Sequence, residues 1–148
     1  MENQIISSIL TPSLIYDDAR AAIEWLKSVL GFTLASIYEM PDGSIGFAEL
    51  FWRTGVIFVS ERPSKDNPWH HVGPFSIALA AENAETVDYF FDRAIQYGAD
   101  IVRPVHDSIT PAFPEGSHQF DVRDPGGNLW TVGTFQPRIK MSAGILPA

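Results

Sequence analysis

The side chains able to do acid–base or metal chemistry are few and scattered along the chain. There are four histidines and no cysteine, so thiolate nucleophiles, disulfides and Cys-ligated zinc are excluded. His70 and His71 are neighbours; on an extended segment they point to opposite sides and cannot share one ion. No histidine pair has the i, i+4 spacing of a helical metal pair. General-base work needs a carboxylate or an imidazole within reach of a substrate proton, and two residues qualify. Glu49 lies between Ala48 and Leu50, and His118 precedes Gln119. If Ala48 and Leu50 form a core face, strand alternation turns Glu49 and Phe51 the other way, towards a ligand. The same reasoning on Phe120 and Val122 turns Gln119 and Asp121 inward and gives His118 the side of Phe120. The glycines of "GSIG" and "DPGGN" do not join a strand to a helix, so they mark turns and not phosphate cradles.

These residues need elements to hold them. A strand is expected over Ile9 to Tyr16, then a cap at Asp17-Asp18 and a helix from Ala19 to Leu30, with Ala22, Ile23, Leu26, Val29 and Leu30 at helical spacing and Gly31 as the stop. Strands follow at Phe32 to Glu39, Ile45 to Trp52 and Val56 to Glu61. After "RPSKDNPWHHVGP" the pattern restarts: a strand at Phe75 to Ala81, a helix capped by Asn83 running to about Tyr97, and a strand at Asp100 to Val105. "HDSITPAFPEGS" reads as a long loop with Phe113 as its contact residue, before strands at His118 to Arg123 and Leu129 to Gly133. An offset of 65 sets Asp18 on Asn83, Trp25 on Phe90, Leu26 on Phe91 and Thr11 on Ser76, the signature of an internal duplication. One domain over residues 1–148 is expected, with module 1 at about 5–62, a linker at about 63–73, module 2 at about 74–136 and a tail at 137–148.

Composition agrees with a single compact domain: 148 residues, 45% hydrophobic. The net charge of -8 and the lack of any Lys/Arg run exclude nucleic acid as a partner. The same balance favours a cationic guest over an anionic one. No apolar run is long enough for a membrane span, and the amino end lacks a signal-peptide pattern; no membrane partner and a cytoplasmic location are the default.

"TPSLIYDDARAAIEWLKSVLGF", "SIALAAENAETVDYFFDRAIQYGADIVRP" and, most specifically, "SHQFDVRDPGGNLWTVGTF" resemble the vicinal oxygen chelate superfamily, the glyoxalase, bleomycin-resistance and extradiol dioxygenase group. The resemblance covers roughly residues 9–136. It implies an α+β fold of paired βαβββ modules, a curled eight-stranded mixed sheet around a cavity with helices on the outer face, and a homodimer. It also implies a metal-ligand position on the first and last strand of each module. Those positions fall on Thr11, Phe58, Ser76 and Thr131, where hydroxyls and a phenyl ring are poor ligands for a divalent ion.

Strand parity then puts Thr11, Ser13, Ser76, Ala78, Leu129, Thr131 and Gly133 inside, mostly small residues, and large ones such as Leu14, Ile77, Leu79, Trp130 and Val132 beneath the helices. The expected function is binding of a small organic ligand in the concave sheet, with no metal and no cofactor. Thr11, Glu49, Phe51, Phe58, Ser76, Phe113, Gln119, Asp121 and Thr131 are the lining residues. The alternative is a glyoxalase-like lyase or isomerase, or a dioxygenase, that draws on Glu49, His118 or Gln119. Trp25, Trp52 and Trp69 are more large apolar surface than the interior needs, so at least one is expected at the dimer interface.

Overall fold

The computed structural model describes residues 5–140. Eight strands and two α-helices alternate as two copies of one pattern. The first copy is β1 (Ser13–Tyr16), α1 (Ala19–Leu30), β2 (Thr33–Glu39), β3 (Ile45–Trp52) and β4 (Gly55–Glu61). The second is β5 (Ser76–Ala80), α2 (Ala84–Gln96), β6 (Asp100–Thr110), β7 (Phe113–Arg123) and β8 (Leu129–Gly133). The strands form two mixed sheets of identical order, β1-β4-β3-β2 and β5-β8-β7-β6, in which β1/β4 and β5/β8 are parallel and the other pairs antiparallel. The duplication expected from the 65-residue offset is therefore present at the level of topology, in an α+β βαβββ fold whose curled sheet stays unclosed.

Local chemistry sets the helix ends. The Asp18 carboxylate accepts from Ala21 N at 3.0 Å and Gly31 ends α1 in the left-handed region at φ 76°. Asn83 does the same for α2, accepting from Thr86 N at 2.9 Å. Both helices cover the same face of their own sheets and touch each other, where the Arg93 guanidinium donates to the Ser28 carbonyl at 2.8 Å through Nε. One core results, with Leu14, Leu26, Leu30, Leu50, Val59, Phe120, Trp130 and Val132 fully buried across both copies. Trp130 sits in that core, edge-on to Phe32 at 5.6 Å, and Phe120 meets Phe91 of α2 at 5.4 Å.

Two boundaries differ from the sequence reading. β1 starts at Ser13 and not at Ile9, because Pro12 has no N–H to give the ladder and offers only its carbonyl, to Phe58 N at 2.9 Å. The expected loop at 106–117 is instead a long hairpin: β6 runs to Thr110, β7 starts at Phe113, and Pro111-Ala112 is the turn. The prolines mislead because Pro111 falls in the turn itself and because β8 pairs β7 only from Gln119 onward, clear of Pro114. Part of the tail, 141–148, lies outside the described residues. Among those described, no helix is long and apolar enough to cross a membrane.

Candidate functional site

The face of each sheet turned away from its helix carries one row of side chains in register. In the first sheet the row is Ser36, Glu49, Phe58 and Ser13 along β2, β3, β4 and β1. In the second it is Arg103, Asp121, Thr131 and Ala78 along β6, β7, β8 and β5. The two rows are equivalent under the duplication, so Glu49 answers to Asp121 and Phe58 to Thr131. Thr11 and Ser76 do not fall in these rows: Thr11 precedes β1, and Ser76 stands opposite Leu129 at the start of β5.

The equivalent acids have different surroundings. Glu49 is half-buried and accepts from Ser36 Oγ at 2.7 Å. With Phe51, Val56 and Ile6 it lines a depression of about 270 Å³. A second depression on this face, about 450 Å³, lies at the other end of the strands between Ser13, Ile15, Ser60, Met40 and Trp69. Trp69 is carried on a 3-10 turn at Pro68–His71, where the Asn67 side chain accepts from Trp69 N at 2.9 Å and Arg62 donates to the His70 carbonyl at 2.6 Å. Phe47 and Phe58 pack together between them at 4.9 Å. Asp121, by contrast, is 3% exposed and fully engaged, accepting from Thr131 Oγ1 at 2.5 Å and from Arg103 Nε at 2.6 Å.

His118 stands on the other face of β7, as its parity with Phe120 requires. Its two ring nitrogens reach Asp107 of β6 and Asp88 of α2, each at 2.8 Å. The hydrogen bond to Asp88, then that to Asp107, holds its pKa above the ordinary 6.5. A doubly bonded imidazolium has no lone pair to offer as a base, and it is on the opposite side of the sheet from Gln119 and Asp121. Phe113 lies at the hairpin tip, 4.3 Å from Phe135. Two residues of the inner face escaped the sequence reading, Arg103 and His106. Both lie on β6: Arg103 is hidden by the register shifts on either side of it, which break the alternation, and His106 by being read as the first residue of a loop.

The four positions that the resemblance marks for metal ligands carry side chains that suit a divalent ion poorly. The Thr131 hydroxyl is spent on Asp121, Phe58 offers a ring, and Thr11 and Ser76 supply neutral hydroxyls. Among the described residues no three His, Cys, Asp or Glu side chains converge to hold an ion.

The chain belongs to the Glyoxalase/Bleomycin resistance protein/Dioxygenase superfamily, whose model matches residues 6–132. Its fold is similar to that of TioX from Micromonospora sp. ML1, with 29% identity, 91% of this chain and 100% of that one covered and a TM-score of 0.65. Lactoylglutathione lyase from Agrobacterium tumefaciens superimposes over 86% of this chain and 92% of its own at 22% identity, TM-score 0.62. A glyoxalase/bleomycin resistance protein/dioxygenase family enzyme from Burkholderia phytofirmans PsJN does so over 83% and 94% at 17%, TM-score 0.65. At the last two identities the likeness is one of fold. No curated protein matches the chain.

Proposed function

We propose that the protein binds a small organic molecule on the concave faces of its sheets, without a divalent ion, and that it does so as a homodimer. The observation that supports this reading is the donor set: the positions to which the resemblance carries the superfamily's metal ligands hold Thr11, Phe58, Ser76 and Thr131, which offer apolar and hydrogen-bonding contact but no charged or imidazole ligand. The concave face of the first sheet has the character of a binding site, with Phe51 and Trp69 as apolar walls beside the Phe47–Phe58 pair and Glu49 as a polar group, and Arg103 stands exposed on the second sheet. The dimer completes it. Two depressions on the concave face of the first sheet contain no residue of the second, while a third, about 300 Å³, brings Val56 together with Ala78 and Ala80 of β5; in this reading a second copy supplies the wall that the first two lack.

Metal analysis of the purified protein together with thermal-shift measurements separates the readings. The expected result is no stoichiometric transition metal, no rise in Tm with zinc, nickel or manganese, and a rise with small aromatic compounds; a guest at a hundredfold its Kd adds about 2.7 kcal/mol. One tightly bound transition ion per chain would overturn the metal-free reading.

A further inference from the structure

The polar group of the second sheet points to the charge of the guest, an inference that rests on the binding reading above. Asp121 is a poor partner for a cationic guest, because its side chain is 5% exposed and its charge is already met by Arg103 Nε at Oδ2, with the Thr131 hydroxyl donating to Oδ1. What the sheet presents outward is the guanidinium. Arg103 is 59% exposed at the side chain while Asp121 beneath it is 5% exposed, so the arginine lies over the acid and is braced by it. Its Nε is the one guanidinium nitrogen with a hydrogen bond among the described residues, which leaves the paired Nη donors for another acceptor. A guanidinium fixed at Nε in this way is a pre-set fork for a planar oxyanion.

A second, independent group stands on the same inner face. His106 pairs with Gln119 in the ladder, as Arg103 pairs with Asp121 two residues further along β7. Its Nδ1 is 2.8 Å from the Pro104 carbonyl, which assigns the proton to Nδ1, while Nε2 is shielded from solvent with no partner among the described residues. A shielded ring nitrogen without a partner is costly unless something else satisfies it.

We propose that Arg103 is the anchor for a carboxylate or phenolate on an aromatic guest, with Asp121 and Thr131 as positioning residues and the His106 ring beside them on the same face. The acidic balance of the whole chain attracts cations at long range, but at contact the fork decides which end docks, since a direct charge-assisted bond outweighs a screened long-range field.

The test uses the full chain and three probes of one shape: 2-naphthoate, 2-naphthylmethanol and 2-naphthylmethylammonium. Binding is read by calorimetry and by the NMR signals of the arginine Nε–H and of the His106 ring. Naphthoate is expected to bind tightest, to shift the Arg103 and His106 signals saturably, and to lose roughly ten- to a hundredfold in affinity in Arg103→Gln. Arg103→Lys, which keeps the charge over Asp121 but not the fork, should fall between. Because the NMR shifts are read on the wild type, the result does not hinge on how well the variants fold. The anchor is overturned if the alcohol or the ammonium probe binds as well as naphthoate, or if Arg103→Gln leaves naphthoate binding unchanged. In those cases the binding reading stands, on shifts at Phe58 and Thr131. If no probe shifts any concave residue, the binding reading falls as well.

Discussion

A single carboxylate, Asp124, ties the closing hairpin to the first module. Its Oδ2 accepts from the Tyr16 hydroxyl at 2.6 Å and from Trp130 Nε1 at 2.9 Å, and its Oδ1 accepts from the backbone N–H of Gly126 and Asn128, each at 2.9 Å. The stretch "RDPGGNLWTVG" thus works as a junction: the turn formers wrap their own acid, and that acid holds the buried tyrosine and tryptophan of two different strands. Burial, and after it the Asp124 carboxylate, pushes the Tyr16 hydroxyl far above its ordinary pKa, so it stays a donor at any pH the fold survives. The turn residues were legible in the sequence because each has a backbone reason; the partner at Tyr16, 108 residues away, was not, since nothing local encodes it. Asp124→Ala leaves a phenol, an indole N–H and two backbone N–H groups short of an acceptor in a site where Asp124 is 5% exposed. Chemical denaturation should show a loss of roughly 3 kcal/mol or more. A loss under about 0.5 kcal/mol, the size of an ordinary surface change, would show that water replaces the carboxylate.

At the scale of elements, α2 and the β6–β7 hairpin are joined by His118, which bridges Asp88 on the helix and Asp107 on the neighbouring strand. Its pKa is raised in the folded state by those two acids, so the charged form is favoured by folding. That contribution is fully present below the unfolded value near 6.5 and is lost as pH rises through the higher folded value. Melting wild type and His118→Gln side by side across the range from about pH 5 to 9 should give a Tm gap that is widest at the acid end and closes on the alkaline side. A gap independent of pH would mean that the neutral imidazole holds the two acids equally well. The elements themselves were largely readable: α1 and α2 follow from their caps and apolar spacing, and β3 and β8 begin and end where alternation and turn residues put them. The edge strand β6 was cut short in the reading because Pro111 and Pro114 suggest a loop; Pro111 falls in a tight turn and Pro114 where β7 has no partner in β8, and both facts belong to the sheet and not to the segment.

For the whole molecule, the question is why a chain this size leaves so much aromatic surface uncovered. Trp52 is buried within the chain, its Nε1 donating to the Leu30 carbonyl at 2.8 Å, and Trp25 packs partly against the core. Trp69 remains 55% exposed, with Tyr38 at 61%, Ile37 at 41% and Phe47 at 39% on β2 and β3. These residues lie on the edge strand, on the concave face of the first sheet and on the turn beside it, an uncovered apolar area of the kind that marks an interface. A second copy related by a two-fold would close the unpaired edge and set a second-sheet wall, with Arg103 and Asp121, opposite Glu49 and Phe58. Light scattering over a dilution series is expected to give a mass near twice the 16.4 kDa of one chain, with Trp69 fluorescence changing as the dimer dissociates. Phe47→Asp, which sets a charge against Phe58 in the proposed interface, should drive the mass towards one chain and weaken ligand binding in parallel, because each cavity would lose its second wall. A single-chain mass for the wild type at tens of micromolar would rule the dimer out; a dimer whose ligand affinity is untouched when it dissociates would show that each chain binds alone.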